Sequence, residues 1–553
     1  MHLYIPNMGG MNLALPQNII SWSMMALLSL IIWLGVGFKK RSIIITLTAK
    51  LFFVAVVLLA FPLFYTRPEW RDAALWRWAG LFGGWVFYFS WLQTEISKRT
   101  HHWLFYAILL AVVVQALMAL LQLFAPALAW VPTSGQRVYG IFQQPNVLAS
   151  FIATGLALAL MLFLLPGFAL RRAGYEYCRL AVLGVLLLVL PALLVWIQSR
   201  VGWLGGTLVA LLFLWRFYAV FPVRSKQALM LIAAGAATGI AVMLLADVVG
   251  HGEELRYLSH DGSNQARWSM LRDTLRMIAA QPWLGWGYGG FEYSFLHFRI
   301  NQTPPTVVTE IASHPHNEIL LWWVEGGLVA LLGMGLIIAG SLRLVRRAWR
   351  QEWQAFADGR RCAGEPTALC FVLLPIALHT QLEYPFYLSA LHFMVFLLLL
   401  AMLDSQVSGV AGHKPLPVVM TVVLRGGLSL LSIGTVVVMV FALQGGLTLT
   451  RAERAGLTDI TAVRAMSGLS AWVHQERRGF DEQVHALLTF NRTGDERLLG
   501  EYAQWANGYL KKRIDRNVYA SLYLILKYQG NNTQAEKLRR EAIAFFPDDP
   551  RFM

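Results

Sequence analysis

Two histidines separated by a single proline stand just before a long apolar stretch, in the order His314, Pro315, His316, Asn317. Histidine is the side chain best suited to accept a hydroxyl proton near neutral pH, so this pair predicts a general base at the start of a helix. A metal site is a weaker alternative, because two histidines without nearby acidic or thiolate partners leave the ligand set incomplete. Capping of the helix is the purely structural alternative.

The segment that ends at these histidines, residues 249–317, is rich in basic side chains. Besides His314 and His316 it contains Arg256, Arg267, Arg272, Arg276, Arg299, His251, His260 and His297. Guanidinium groups bind phosphate oxygens through paired hydrogen bonds, so an anionic substrate explains this concentration. We favour Arg267 for that role, since solvated surface charge pairs are the simpler explanation for each of the other four arginines.

Three further segments place polar side chains at the ends of apolar stretches. They are Gln198-Ser199-Arg200, Gln143-Gln144-Pro145-Asn146 and Gln381-Leu382-Glu383-Tyr384-Pro385. Very few loop residues flank Arg200 between the two apolar stretches. A charged side chain so close to lipid usually has a function or reaches out to the membrane–water interface. The amides of Gln144 and Asn146 suit sugar hydroxyls, or they cap the helix that follows. Glu383 pairs with an arginine or anchors a helix end.

Composition indicates the class of protein. Hydrophobic residues make up 57% of the 553 positions and charged residues only 14%, far below the roughly one quarter usual for soluble domains. The net charge of +15 does not indicate nucleic acid, because the basic residues lie in short runs between apolar stretches. The three cysteines show no paired spacing, which argues against a disulfide framework or a thiolate metal site. We expect an all-α polytopic protein in a lipid bilayer, with no nucleic-acid partner.

Twelve apolar stretches reach the length of about 20 residues that a helix needs to cross a bilayer. They cover roughly residues 19–38, 42–62, 74–94, 103–125, 146–166, 178–197, 201–221, 227–248, 318–342, 363–382, 387–404 and 416–442. The basic clusters fall in alternate loops, which the positive-inside rule places in the cytoplasm. Both termini and residues 249–317 are then periplasmic. A secondary transporter also explains twelve spans, but it would place ionisable residues near mid-membrane, whereas these cluster at one face.

The chain after the last predicted span, residues 443–553, is polar. Its apolar positions near the end are Leu522, Ile525, Leu526, Leu538, Ala542 and Phe545, with Gly530 between the two groups. This spacing predicts two antiparallel amphipathic helices of a tetratricopeptide-like hairpin. We expect a transmembrane domain over 1–442, with 249–317 as its periplasmic loop, and a helical C-terminal region over 443–553. That region either docks a protein or caps the membrane domain. A protein that acted only as a scaffold, through its C-terminal region, would leave the arginines of residues 249–317 unexplained.

With these residues identified, the chain resembles the O-antigen ligase superfamily, and within it the protein O-oligosaccharyltransferases that glycosylate pilins and other exported proteins. The N-terminal IPNMGGMNLALPQN resembles a signature of the pilin-glycosylating branch, and Arg267 to Phe291, ending in PWLGWGYGGF, resembles a periplasmic block of the superfamily. His316-Asn317 followed by nine residues and Gly327 resembles the ligase motif. Ala330 departs from that motif, which has glycine, threonine or tyrosine there.

The resemblance implies transfer of a glycan from undecaprenyl diphosphate to a serine or threonine hydroxyl of an exported protein, pilin-like or other, without a metal or other cofactor. The site would face the periplasm from the bacterial inner membrane. In the expected inverting displacement, His316 accepts the hydroxyl proton while Arg200 and Arg267 stabilise the departing lipid diphosphate. Residues expected to orient these groups or to bind substrate are His314, Asn317, Glu383, Tyr384, Gln144 and Asn146. A lipid A-core O-antigen ligase and a Wzy-type polymerase are the alternative activities, with the same donor and other acceptors.

Overall fold

The computed structural model describes residues 4–35, 42–94, 97–133, 137–249, 261–358, 364–408, 413–415 and 417–553. Within these ranges the chain is mostly helical, with one sheet of two short strands. Some residues singled out from the sequence lie outside the described residues, namely His251, Arg256, His260 and Cys362.

The α-helices are α1 (Pro16–Gly35), α2 (Leu47–Leu58), α3 (Arg71–Leu92), α4 (Lys98–Phe124), α5 (Pro145–Leu164), α6 (Ala173–Ile197), α7 (Arg200–Phe217), α8 (Pro222–Val249), α9 (Asp261–Ala280), α10 (Phe291–Ile300), α11 (Glu318–Ala357), α12 (Glu365–His379), α13 (Pro385–Leu388), α14 (Ala390–Ser408), α15 (Val418–Arg454), α16 (Thr461–Arg464), α17 (Gly468–Val473), α18 (Gln475–Thr493), α19 (Arg497–Tyr509), α20 (Arg516–Tyr528) and α21 (Asn532–Phe545). The strands are β1 (Ser42–Ile44) and β2 (His413–Pro415).

Ten helices in the described part of the chain are long and apolar enough to cross a membrane, by length and composition. A helix lies at each of the twelve predicted positions, but α3 and α12 are not among the ten. Helix α12 has only 15 residues, and α3 carries Arg71, Asp72 and Arg77 in its first two turns. The prediction of an all-α polytopic membrane protein is confirmed, although the count of long apolar helices is lower than expected.

Helix α5 is surrounded by other helices. Its apolar window is fully buried, and α4, α6, α7 and α12 pack against it, as expected for a helix that is apolar on all sides. Gly202 permits the close approach of α7, because a Cβ at this position would lie 2.6 Å from the Cβ of Ala149. Since both residues lie within the first five residues of their helices, this packing brings the N-terminal ends of α5 and α7 together.

The two strands pair antiparallel, with Ser42 opposite Pro415 and Ile44 opposite His413. Gln93 extends the pairing, because its side-chain amide bonds both the N–H of Ile44 at 3.0 Å and the carbonyl of Ile44 at 2.9 Å. The sequence did not predict this sheet, since three residues are too few to show an alternating pattern.

The chain forms two compact units. The first unit contains Met1–Phe52, Gly84–Ser259 and Ile338–Val436, and the second contains Phe53–Gly83, His260–Ile337 and Val437–Met553. Of the predicted site residues, those in the first unit are Gln144, Asn146, Arg200, Glu383 and Tyr384, and those in the second are Arg267, His314, His316 and Asn317. The division into domains at residue 442 stays a prediction.

Within the second unit the C-terminal helices pack on the segment that carries the candidate histidines. The predicted pair of terminal helices is present as α20 and α21, which contact each other. The carboxylate of Glu292, in the first turn of α10, accepts the N–H of Ile514 at 2.8 Å and the guanidinium of Arg513 at 3.1 Å. His297, later in α10, lies 3.3 Å from Glu541 of α21. The tail therefore supports α10 directly.

Candidate functional site

A cavity of about 570 Å³ lies in the second unit. Its lining residues are Gln265, Ala266, Arg267, Ser269, Arg299, Val307, Thr309, Glu310 and His316. Helix α9 supplies Arg267, α10 supplies Arg299, and the turn before α11 supplies His316. The structure thus brings two predicted site residues, Arg267 and His316, to one cavity although they lie 49 positions apart in the sequence.

His316 has a left-handed backbone, with φ of 55°, a conformation that is uncommon for residues other than glycine. Its N–H donates to Nδ1 of His314 at 2.9 Å, so that nitrogen carries no proton. The other nitrogen, Nε2, then carries the proton and donates it to Glu318 at 3.3 Å. Burial lowers the pKa of His314, which favours this neutral form. His314 therefore holds the backbone that presents His316.

Asn317 caps α11. Its side-chain oxygen accepts the N–H of Leu320 at 2.9 Å, which satisfies one of the free donors at the helix start. Glu318 is fixed on its other oxygen by the indole N–H of Trp322 at 2.8 Å. The capping that the sequence offered as a structural alternative thus applies to Asn317, and its contact with substrate stays a prediction.

Arg299 corrects one expectation, since its side chain is only 3% exposed and is not a solvated surface charge. Its Nε lies 3.2 Å from Asp273 and its Nη2 donates to Ser269 at 2.8 Å. Burial lowers the pKa of this guanidinium, while Asp273 opposes the effect. Arg272 and Arg276 also pair with Asp273. Asp273 was not singled out from the sequence. The available signal was an acidic residue in a basic segment, one helical turn after Ser269.

Helix α11 breaks at Gly327, whose φ of 63° and ψ of −155° are not helical. The turn between α9 and α10 supplies hydrogen bonds at the break: Trp286 N–H to Val324 O at 2.9 Å, Gly287 N–H to Glu325 O at 2.8 Å and Leu328 N–H to Trp283 O at 3.0 Å. A Cβ on Gly327 would lie 2.2 Å from the oxygen of Trp283. Only glycine fits here, so the break ties the α9–α10 turn to the helix that follows His316.

Ala330, the departure from the ligase motif, is fully buried. It belongs to a core cluster with Tyr288 and Trp322. A Cβ on Gly326 would lie 2.5 Å from the Cβ of Ala330, which shows how little space remains around it. The departure affects packing behind the break and none of the residues that line the cavity.

In the first unit, Glu383 collects three side-chain donors. Asn146 donates from Nδ2 at 2.6 Å, Gln144 from Nε2 at 3.3 Å, and His379 lies at 3.3 Å through Nε2. Gln144 also caps α5, since its oxygen accepts the N–H of Val147 at 2.9 Å. The structure therefore brings together three predicted residues, Gln144, Asn146 and Glu383, from two distant segments.

This cluster reaches the turn that carries Arg200. Ser199 donates from Oγ to the side-chain oxygen of Asn146 at 2.7 Å, and Arg200 is the first residue of α7. Tyr384, next to Glu383, packs its ring edge-on against Tyr387 with centroids 6.4 Å apart.

Arg137 is a residue that the sequence did not single out. Its Nη2 donates to the carbonyls of Gln198 at 3.1 Å and Ile197 at 3.4 Å. Burial lowers the pKa of Arg137, Glu383 opposes that effect, and the positive charge of Arg200 adds to it. Within the first unit, Arg137 is therefore influenced by the charges of both Glu383 and Arg200. The sequence signal that could have identified Arg137 was an arginine shortly before the Gln143–Asn146 segment.

The sequence also missed three buried polar residues behind Glu383. They are Ser150 in α5, His379 in α12 and His392 in α14. A histidine within an apolar helix was the available signal, because burying a polar side chain is unfavourable unless it is hydrogen-bonded. Among the described residues, no three histidine, cysteine, aspartate or glutamate side chains form a group that could hold a metal ion.

Three family models match successive parts of the chain. The model described as "Protein glycosylation ligase" matches residues 138–163, "O-Antigen ligase" matches 183–335, and "Virulence factor membrane-bound polymerase, C-terminal" matches 367–553. No curated protein sequence matches the chain significantly.

The three matches cover both groups of residues described above. The first contains Gln144 and Asn146, the second contains Arg200, Arg267 and His316, and the third contains Glu383 with the C-terminal helices. Together with the membrane helices, these matches show that the chain belongs to the O-antigen ligase/Wzy superfamily, with support for its protein glycosylation ligase branch.

Proposed function

We propose that this protein moves a glycan en bloc from undecaprenyl diphosphate to a serine or threonine hydroxyl of an exported, pilin-like protein. The reaction takes place at the periplasmic face of the bacterial inner membrane. The observation that carries the proposal is that His316 and Arg267 line one cavity. A proton acceptor and an anion-binding group are what glycosyl transfer from a lipid diphosphate requires.

The chemical step is a single displacement at the anomeric carbon. The acceptor oxygen forms a bond to this carbon as the bond to the diphosphate oxygen breaks, and the electron pair leaves with the lipid diphosphate. His316 accepts the hydroxyl proton, which typically contributes about 10² to 10⁴ in rate. Because attack comes from the side opposite the leaving group, the configuration inverts.

Positively charged side chains beside the leaving diphosphate complete the mechanism. Arg267 is proposed to contact the diphosphate in the second unit, where Arg299 is already engaged with Asp273. Arg200 is assigned the same role in the first unit, where it opens α7 beside Arg137. A helix N-terminus adds favourable potential for an anion. Fixed charges of this kind stabilise the transition state because they act where negative charge develops.

The acceptor separates this proposal from its alternatives. The matches at 183–335 and 367–553 are described as a ligase and a polymerase, which keeps a lipid A-core acceptor and a second lipid-linked glycan as candidates. The match at 138–163 favours protein as the acceptor.

The test supplies the purified protein with labelled undecaprenyl-diphosphate-linked glycan and one of three acceptors. These are a pilin-like protein, lipid A-core, and unlabelled lipid-linked glycan. We expect label on the protein, attached through serine or threonine in mass spectra, and no label on it with a His316→Ala variant. Label on only one of the lipid acceptors would contradict the protein acceptor and identify the corresponding alternative.

A further inference from the structure

A chain of buried hydrogen bonds leads from Glu383 into the helices of the first unit. His379 links Glu383 at 3.3 Å to Ser150 at 2.8 Å. His392 follows, with Nε2 at 3.2 Å from Ser150 and Nδ1 at 2.9 Å from Ser389. All five side chains are buried, and both histidines are fully inaccessible to solvent. The proposed reaction assigns no role to the histidines and serines of this hydrogen-bonded series, namely His379, His392, Ser150 and Ser389.

One arrangement of protons satisfies the whole chain. The hydroxyl of Ser389 donates to Nδ1 of His392, whose Nε2–H donates to Ser150 and to the carbonyl of Val147 at 3.0 Å. The hydroxyl of Ser150 lies 3.1 Å from the carbonyl of Val147 and 2.8 Å from Nδ1 of His379, and in this arrangement it donates over the shorter distance to His379. Nε2–H of His379 then donates to Glu383. In this arrangement the hydrogen bonds between the side chains all run in one direction, from Ser389 to the carboxylate of Glu383 at the far end. Such a network is rigid, because each group is fixed from both sides.

The other side of Glu383 fixes the amide of Asn146. That amide donates from Nδ2 to Glu383 at 2.6 Å and accepts on Oδ1 from Ser199 at 2.7 Å, so only one of its two orientations fits. Ser199 is in turn the N-cap of α7, accepting the N–H of Gly202 at 3.4 Å. The hydrogen bonds thus run without interruption from His392 to the start of the helix that Arg200 opens.

The turn at the end of this path has an unusual backbone. Gln198 has φ of 53°, and such residues persist only where the surroundings hold them in place. Arg137 holds the turn from one side through the carbonyl of Gln198, and Ser199 holds it through Asn146. A capping function alone needs only the hydroxyl of Ser199. It gives no reason for a buried carboxylate with three donors.

We propose that Glu383 and His379 are positioning residues that fix the Gln198–Arg200 turn through Asn146 and Ser199. Glu383 therefore acts on the donor through Arg200 and not by touching the glycan. The functional part of this inference rests on the proposed contact between Arg200 and the donor diphosphate; the structural part does not.

The first measurement is hydrogen–deuterium exchange of the purified full-length protein, read on the peptide that covers the start of α7. We expect faster exchange there in Glu383→Gln and His379→Leu, because both remove an acceptor or donor of the path. His379→Gln, which keeps an N–H donor near the position of Nε2, should restore slow exchange. The matched control is Asp404→Asn, a buried carboxylate of the same unit that accepts from Thr46 and Tyr88. Unchanged exchange at α7 in Glu383→Gln, or an equal change in Asp404→Asn, would overturn the positioning role.

The second measurement is the KM of transfer for the lipid-linked donor and for the protein acceptor. We expect Glu383→Gln to raise the donor KM about tenfold and to leave the acceptor KM within about twofold. Combined with Arg200→Ala it should add little, because both changes remove the same contact. Additive losses, or an equal rise in both KM values, would contradict action through Arg200. A normal donor KM for Arg200→Ala would instead refute the proposed function of Arg200, while the exchange experiment still decides whether Glu383 fixes the turn.

Discussion

The backbone N–H of Leu328 donates to the carbonyl of Trp283 at 3.0 Å, across the break in α11. This bond links a turn of the segment before His316 to the helix after it. It exists because Gly327 leaves the helical conformation and frees the N–H of Leu328.

Gly327→Ala should destabilise the protein by about 1 to 3 kcal/mol or more, because the Cβ would meet the oxygen of Trp283 in a conformation nearly restricted to glycine. Thermal unfolding in detergent measures the effect, and transfer should fall with it. Gly335→Ala is the matched control in the same helix, since a Cβ there meets nothing within 4 Å. Equal stability of the two variants would show that the break does not depend on glycine.

His316→Ala should reduce glycan transfer by about 10² to 10⁴ while leaving expression and membrane insertion intact, because the imidazole acts on a proton and not on the fold. Initial rates with labelled donor measure the loss. His101→Ala, at the start of α4 in the other unit, serves as a control for removing a histidine. Near-normal transfer by His316→Ala would exclude it as the base.

The neutral state of His314 should make stability depend on pH. Burial lowers its folded pKa below the ordinary value of 6.5, with Glu318 and Glu325 opposing and Arg77 assisting. The stabilisation is then fully present above about pH 6.5 and is lost as pH falls from there toward the folded pKa.

We therefore expect the thermal midpoint of the wild type to fall between about pH 7 and pH 5. His314→Gln should fall less over this interval, because its amide can accept from His316 and donate to Glu318 without titrating. Parallel curves for the two proteins would mean that other groups cause the pH dependence.

Arg200→Lys should lose part of its transfer activity, since an ammonium keeps the charge but not the two parallel hydrogen bonds expected to hold a diphosphate. Kinetics at varied donor concentration measure the loss. Arg216→Lys, in the last turn of the same helix, is the control for replacing a guanidinium in α7. If lysine serves as well as arginine at position 200, its contribution is general electrostatics or contact with the membrane surface.

Deletion from about Arg451 onward should reduce transfer to protein more than donor binding, as expected if the tail docks the acceptor. The contacts of Arg513 and Ile514 with Glu292 mean that deletion also removes support from α10. Arg513→Ala, which loosens this contact but keeps the tail, is therefore compared in the same donor-binding and transfer assays. A stably inserted truncation with normal protein glycosylation would rule out docking by the tail.

The sequence by itself determined the membrane class and the positions of the twelve predicted apolar helices and of the terminal pair α20 and α21. Apolar stretches of about 20 residues have few alternatives to a helix in a bilayer, because hydrocarbon cannot satisfy backbone hydrogen bonds. The sequence did not correctly predict α3 and α12, which were expected to be long apolar spans, because the charge of α3 and the length of α12 are marginal for crossing a membrane. It also did not predict the strands β1 and β2. The motif around His316 and Gly327 was also evident, because its residue types are specific.

Only the tertiary structure decided which polar residues act together. Glu383, Asn146 and Ser199 come from three segments, and nothing in their local sequence indicates that one amide joins the other two. Arg299 looked like a surface charge until α9 placed Asp273 against it. His379 and His392 gave no periodic signal, because their polarity is satisfied by partners distant in sequence. A local sequence pattern indicates whether a segment faces water, lipid or the protein interior. Hydrogen bonds between distant segments depend on how the helices pack, and no short stretch of the sequence shows that packing.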